Sequence, residues 1–183
     1  MKKIFKIIGL ICLGLIGAAV LLIAIFWGSV EWGQHVKRQE RIAYQKEVCD
    51  TMKVVTGRFD FELSGFNNKK LKRVHFYIVR DQKIFKDSLV KISDSLADDR
   101  KIAVLPFAEF RTTDTIVLEA EDSYFSLSGL HYIAEQNYGM FGPVGPCDCF
   151  PTTFQLLNGK PWGAYNNWLM KKDGLSGFSG QIK

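Results

Sequence analysis

The chain opens on an uninterrupted apolar run: residues 7–27 carry no charge and are rich in Ile, Leu, Ala and Gly. At about 1.5 Å rise per residue, a helix of that length spans roughly 30 Å, the hydrocarbon thickness of a bilayer. The pattern predicts a single transmembrane helix over residues 7–28, after a short cytoplasmic tail of residues 1–6. A cleaved secretory signal has a shorter apolar core and a small residue at its exit. Here the exit is Phe26-Trp27-Gly28-Ser29, and Trp27 suits an interfacial aromatic belt. A cut after Gly17-Ala18-Ala19 would leave residues 20–27 as an apolar new terminus, so an uncleaved anchor is the expectation.

Beyond the anchor the hydrophobic period changes. Residues 29–52 are polar, with Val30, Val36, Ile42 and Val48 at loose helical intervals, which predicts a juxtamembrane helix or stalk. Phe59, Phe61 and Leu63 then alternate with Arg58, Asp60 and Glu62, the period of a strand with one face buried. Val74-His75-Phe76-Tyr77-Ile78-Val79 reads as a second strand, paired with the first across a Gly/Asn/Lys turn. Further strands are expected at residues 102–105, 115–120, 124–127 and 153–157. Residues 83–96 fit either a short helix or one or two strands. Many short strands between polar turns predict a mainly β fold: the transmembrane helix followed by an antiparallel β-sandwich of about seven strands, immunoglobulin-like or transthyretin-like, over residues 53–172. Residues 173–183 form a Gly/Ser-rich flexible tail.

Charge sets the orientation. Lys2, Lys3 and Lys6 crowd the near side of the apolar run, whereas the far side begins with Glu31 and reaches Lys37, Arg38 and Arg41 only later. The Lys/Arg bias predicts a single-pass protein of the inner (cytoplasmic) membrane, with its C-terminal domain periplasmic or otherwise extracytoplasmic. The formal net charge of +5 owes much to those three lysines, so the exported part is only mildly basic and nucleic acid is not an expected partner. The basic cluster Lys69-Lys70-Lys72-Arg73 reads as a solvated turn.

Four cysteines are present. Cys12 lies within the apolar run, leaving Cys49, Cys147 and Cys149 for a disulfide in an oxidising compartment. A bridge between residues two apart is sterically awkward, so Cys49 is expected to pair with Cys147 or Cys149. The Cys147-Asp148-Cys149 pair, joined by His131 or Cys49, also suggests a soft-metal or redox site, although zinc cysteines are usually spaced two to four apart. Gly139, Gly142, Pro143, Gly145 and Pro146 before it mark a tightly turned loop.

Catalytic signatures are missing. There is no G-x-S-x-G, P-loop or H-E-x-x-H motif. His35 belongs to the stalk, His75 to an exposed sheet face and His131 to a loop, so no enzyme activity, metal or cofactor is expected. Aromatic residues are dense near the C-terminus, and Tyr138, Phe141, Trp162, Tyr165 and Trp168 are the candidate partner-binding residues. Large rings on a constrained loop bring contact area at little entropic cost. The same rings would also close the open end of a sandwich. The expected function is non-catalytic binding of a protein partner in the envelope, as an assembly factor or an immunity-type inhibitor. The alternatives are a redox-active or metal-binding protein using Cys147 and Cys149, and a structural membrane-tethered subunit.

Overall fold

The structure, a computed structural model, describes residues 2–67, 71–94, 101–163 and 167–176. Lys69, Lys70, Tyr165 and most of the C-terminal tail lie outside these residues.

Helix α1 (Lys2–Glu47) is 46 residues long, about twice the length a bilayer requires. Nothing in the sequence interrupts it, since no proline occurs before residue 106 and Gly28 and Gly33 are tolerated singly. The apolar run and the expected stalk are therefore one continuous helix. By length and composition it can cross a membrane, and its most apolar stretch is 0% buried by the rest of the protein.

A short 3-10 turn (Cys49–Thr51) follows the helix. Nine strands come next: β1 (Val54–Thr56), β2 (Asp60–Ser64), β3 (Arg73–Arg80), β4 (Lys83–Lys91), β5 (Ser93–Asp94), β6 (Lys101–Val104), β7 (Glu109–Arg111), β8 (Thr115–Ala120) and β9 (Ser123–Ser128). A hairpin of β10 (Tyr132–Gly139) and β11 (Gly142–Pro151) precedes three short strands, β12 (Leu156–Leu157), β13 (Lys160–Pro161) and β14 (Trp168–Met170). The chain divides into two compact units, Met1–Lys46 with Ala134–Asp148, and Glu47–Ile133 with Cys149–Lys183.

The second unit is the sandwich. One sheet has six strands in the order β13-β12-β9-β8-β3-β4, and the other four in the order β14-β2-β6-β5, while β1 and β7 pair separately. All pairings are antiparallel except that of β14 with β2. The alternation read from the sequence decides which side chains turn inward. Phe61 and Leu63 of β2 are buried, as are Val74, Phe76 and Ile78 of β3. Phe61 meets Phe76 across the sheets at 6.2 Å between ring centroids, and Phe66 meets Phe125 at 6.1 Å. Phe76 is wholly buried, and its truncation to Ala would cost about 3–5 kcal/mol in transfer and cavity terms.

Residues 83–96, left open between a helix and strands, are extended where described, as β4 and β5. Three stretches depart from expectation. β2 and β3 do not pair with each other across the turn between them: β2 lies between β14 and β6 in one sheet, and β3 between β8 and β4 in the other. Of the strand expected at 153–157, only Leu156–Leu157 pairs, because the chain crosses over after Pro151 and sends Phe154 into the core. The Gly/Pro-rich stretch read as a loop is a strand. Pro143 and Pro146 lie on β11, which belongs to a two-stranded ribbon with both strands at an edge, where proline is tolerated.

Candidate functional site

In the sandwich unit, a half-open cleft of about 450 Å³ is bordered by residues 57–61, 151–154 and Asn167. Its floor is aromatic. Phe154 lies 5.7 Å from Phe59 and 5.9 Å from Phe61, and stacks on Phe110 at an interplanar angle of 10°. Phe59 is the ring left half-exposed, because it precedes β2 rather than lying within it. The rim is polar: Arg58 Nε donates to Asp60 Oδ1 at 3.0 Å, and Asn167 Nδ2 donates to the Asp60 carbonyl at 3.3 Å. An apolar floor with a few fixed polar groups at the mouth suits an apolar side chain or ring. Trp168, next to Asn167, is 45% exposed, while its neighbour Leu169 is fully buried.

A second constellation crosses four adjacent strands on the outer face of the six-stranded sheet. His75 Nε2 lies 2.7 Å from Asp87 Oδ2, and His75 Nδ1 lies 2.8 Å from the Tyr77 hydroxyl. That hydroxyl donates to Glu119 Oε2 at 2.5 Å, and Tyr124 donates to Glu119 Oε1 at 3.0 Å. His75 therefore sits on the outer face as its alternation implies, but is half-buried and engaged at both ring nitrogens. Burial, reinforced by the Glu119 carboxylate, pushes both phenols above their usual range. The network ties together side chains of four neighbouring strands.

The thiols are divided by the fold. Cys49 and Cys149 form a disulfide, which takes both out of any thiolate ligand set. Cys147 remains free and half-buried, on the same face of β11 as Cys149 by strand alternation. His131 is exposed and held locally, with Nδ1 3.4 Å from the Gly129 carbonyl. Among the described residues, no group of three or more His, Cys, Asp or Glu side chains is placed to hold a metal ion.

The first unit contains the hairpin and the helix. Met140 and Phe141 make the two-residue turn, flanked by Gly139 and Gly142. Gly142 has φ +122°, and a Cβ there would lie 2.8 Å from Gln34 Cγ, so only glycine permits this approach to α1. Phe141 packs edge-on against Phe26 at 5.6 Å. The tip is otherwise bare: Tyr138 is 73% exposed and Met140 91%.

Of the candidate partner-binding residues, Tyr138 and Phe141 thus belong to the hairpin unit. Trp162 and Trp168 belong to the sandwich unit, and Tyr165 lies outside the described residues. The sequence reading missed the cleft because Phe59, Phe154 and Asn167 are far apart along the chain. The one local signal was Phe59 standing at the solvent-facing start of an alternating run. Compared with known proteins, the chain matches no family model, no curated protein and no solved structure.

Proposed function

We propose that this is a single-pass membrane protein whose extracytoplasmic β-sandwich binds a protein partner without catalysis. The observation that carries this reading is the aromatic-floored cleft at Phe59, Phe61 and Phe154, with its short polar rim. It offers a desolvated pocket for one apolar anchor residue, the element around which binding energy concentrates in protein interfaces. Among the described residues, Arg58 and Asp60 form a charged pair at its mouth. Two further observations support the setting. The most apolar stretch of α1 is not buried by the rest of the protein, and the Cys49–Cys149 bridge is the kind of bond that persists in an oxidising compartment.

The test is site-specific photo-crosslinking from Thr152 at the cleft rim, in native membranes, with Lys160 as an exposed control position. A discrete adduct seen from Thr152, absent from Lys160 and lost with Phe59→Asp is the expected result. Identical adduct patterns from both positions would overturn the reading. A redox role is the second reading, favoured by the free Cys147 two residues from bridged Cys149. It requires that thiol titration with and without mild oxidant reveal exchange of the Cys49–Cys149 bond.

A further inference from the structure

Four polar residues of α1, Gln34, Arg38, Arg41 and Gln45, recur at spacings of four, three and four and so share one face of the helix. The outer two clasp the hairpin. Gln34 Nε2 donates to the Phe141 carbonyl at 2.8 Å, and Gln45 Oε1 accepts the Ala134 N–H at 2.7 Å. Between these fastenings, Arg38 and Arg41 border a pocket of about 150 Å³ with Gln34, Gln136, Tyr138 and Pro143, and no acidic side chain lines it. Neither arginine makes a hydrogen bond or ion pair among the described residues.

Gln136, on β10, is the second observation. It is only 9% exposed, yet neither its Oε1 nor its Nε2 has a hydrogen-bond partner. A buried amide unpaired at both ends is costly, and native structures rarely keep one without a ligand or ordered solvent to complete it. Two unpaired guanidiniums bordering the same space add repulsion that an anion would relieve.

We propose that this pocket binds an oxyanion of the phosphate class. Guanidiniums present forked donors that match phosphate oxygens, and Gln136 Nε2 supplies a further donor. Gln136 Oε1 requires the reverse, a donor from the ligand. Hydrogen phosphate carries both acceptor oxygens and a P–OH, whereas sulfate at neutral pH has no proton to give. The volume admits a tetrahedral group and excludes a nucleotide. Arg38 and Arg41 stand about 16–21 Å beyond Trp27 along the helix. The phosphate therefore comes either from free solute or from a lipid whose extended headgroup ends in a phosphomonoester, the form that keeps a P–OH.

The experiment is calorimetric titration of the full chain, in nonionic detergent, with inorganic phosphate and separately with sulfate. Saturable phosphate binding is expected, with sulfate weaker by about fivefold or more. Arg38→Gln with Arg41→Gln should weaken phosphate by about tenfold or more, a scale of one to two charge-assisted contacts. Gln136→Leu should lower affinity while leaving the circular dichroism spectrum unchanged. Absence of saturable phosphate binding, or equal binding by the arginine variant, would overturn the proposal. Repeating the titration in nanodiscs identifies the source. Loss of the phosphate signal with a lipid bearing a terminal phosphomonoester, but not with phosphatidylcholine alone, assigns the site to a headgroup, and its persistence in both assigns it to a soluble phosphate.

Discussion

Arg80 and Asp114 form a two-pronged ion pair, Nε to Oδ1 at 2.8 Å and Nη2 to Oδ2 at 2.7 Å, with the aspartate side chain entirely buried. Asp114 Oδ2 also accepts the Arg111 N–H at 2.8 Å. Burial alone would push this carboxyl upward, but the Arg80 hydrogen bonds, the Arg111 amide and the two positive charges outweigh it and hold it below the usual range. Asp114→Asn puts an amide against the guanidinium and should cost about 3 kcal/mol. Because the folded-state pKa lies below the unfolded value, the pair's contribution is full above about pH 4. It disappears as pH falls through the lowered value. Denaturant titration at pH 7 and in acid checks both, and a variant that parallels the wild-type acid limb at undiminished stability would contradict them.

The disulfide should carry a large share of the sandwich's stability. Cys49 and Cys149 are 100 residues apart, and closing a loop of that length is worth roughly 4.7 kcal/mol in the chain-entropy model. Cys49→Ser is expected to lower stability by about 2–5 kcal/mol. Alkylation of the unreduced, unfolded chain followed by mass spectrometry should label Cys12 and Cys147 and leave Cys49 and Cys149 unmodified. Label on Cys149 would refute the pairing.

Tyr77 and Tyr124 should resist ionisation. Burial and the shared Glu119 carboxylate raise both phenols, so the folded state holds their protons more tightly than the unfolded chain. Their contribution is complete below the unfolded value of about 10 and declines as pH rises beyond it. Ultraviolet titration should show a Tyr77→Phe, Tyr124→Phe variant losing the late-ionising portion of the absorbance change. Loss from the early portion instead would be inconsistent with the network.

The hairpin tip should meet lipid. Phe141 touches Phe26, at the position where the apolar run of α1 ends, and Met140 beside it is 91% exposed. With the helix embedded, that places an apolar turn at the membrane interface, where amphipathic and aromatic groups are favoured. An environment-sensitive dye on Met140→Cys, in a background lacking Cys12 and Cys147, should emit to the blue of the same dye on Lys160→Cys in nanodiscs. Equal, water-like emission from both positions would sink this placement.

What the sequence revealed follows from period. The apolar run, the alternation of Phe61 and Leu63, and the β-branched stretch from Val74 to Val79 encode their own burial, and each forms the expected element. The cysteine spacing narrowed the bridge to two choices, but only the three-dimensional path of β11 selected Cys149. The hairpin was hidden because its glycines and prolines carry loop statistics, while its support comes from Gln34 and Gln45, about a hundred residues away. The stripe linking those glutamines to Arg38 and Arg41 has helical spacing but no apolar character, so a search for hydrophobic faces passes over it. The cleft is likewise assembled from separate segments, with no motif in any one of them.

Strand β4 closes one side of the six-stranded sheet as an end strand. Such a border is an invitation to pair with another copy. Lys83, Lys86 and Lys91 stud this border, so two copies brought together there would oppose like charges. That repulsion opposes edge-to-edge fusion into fibrils.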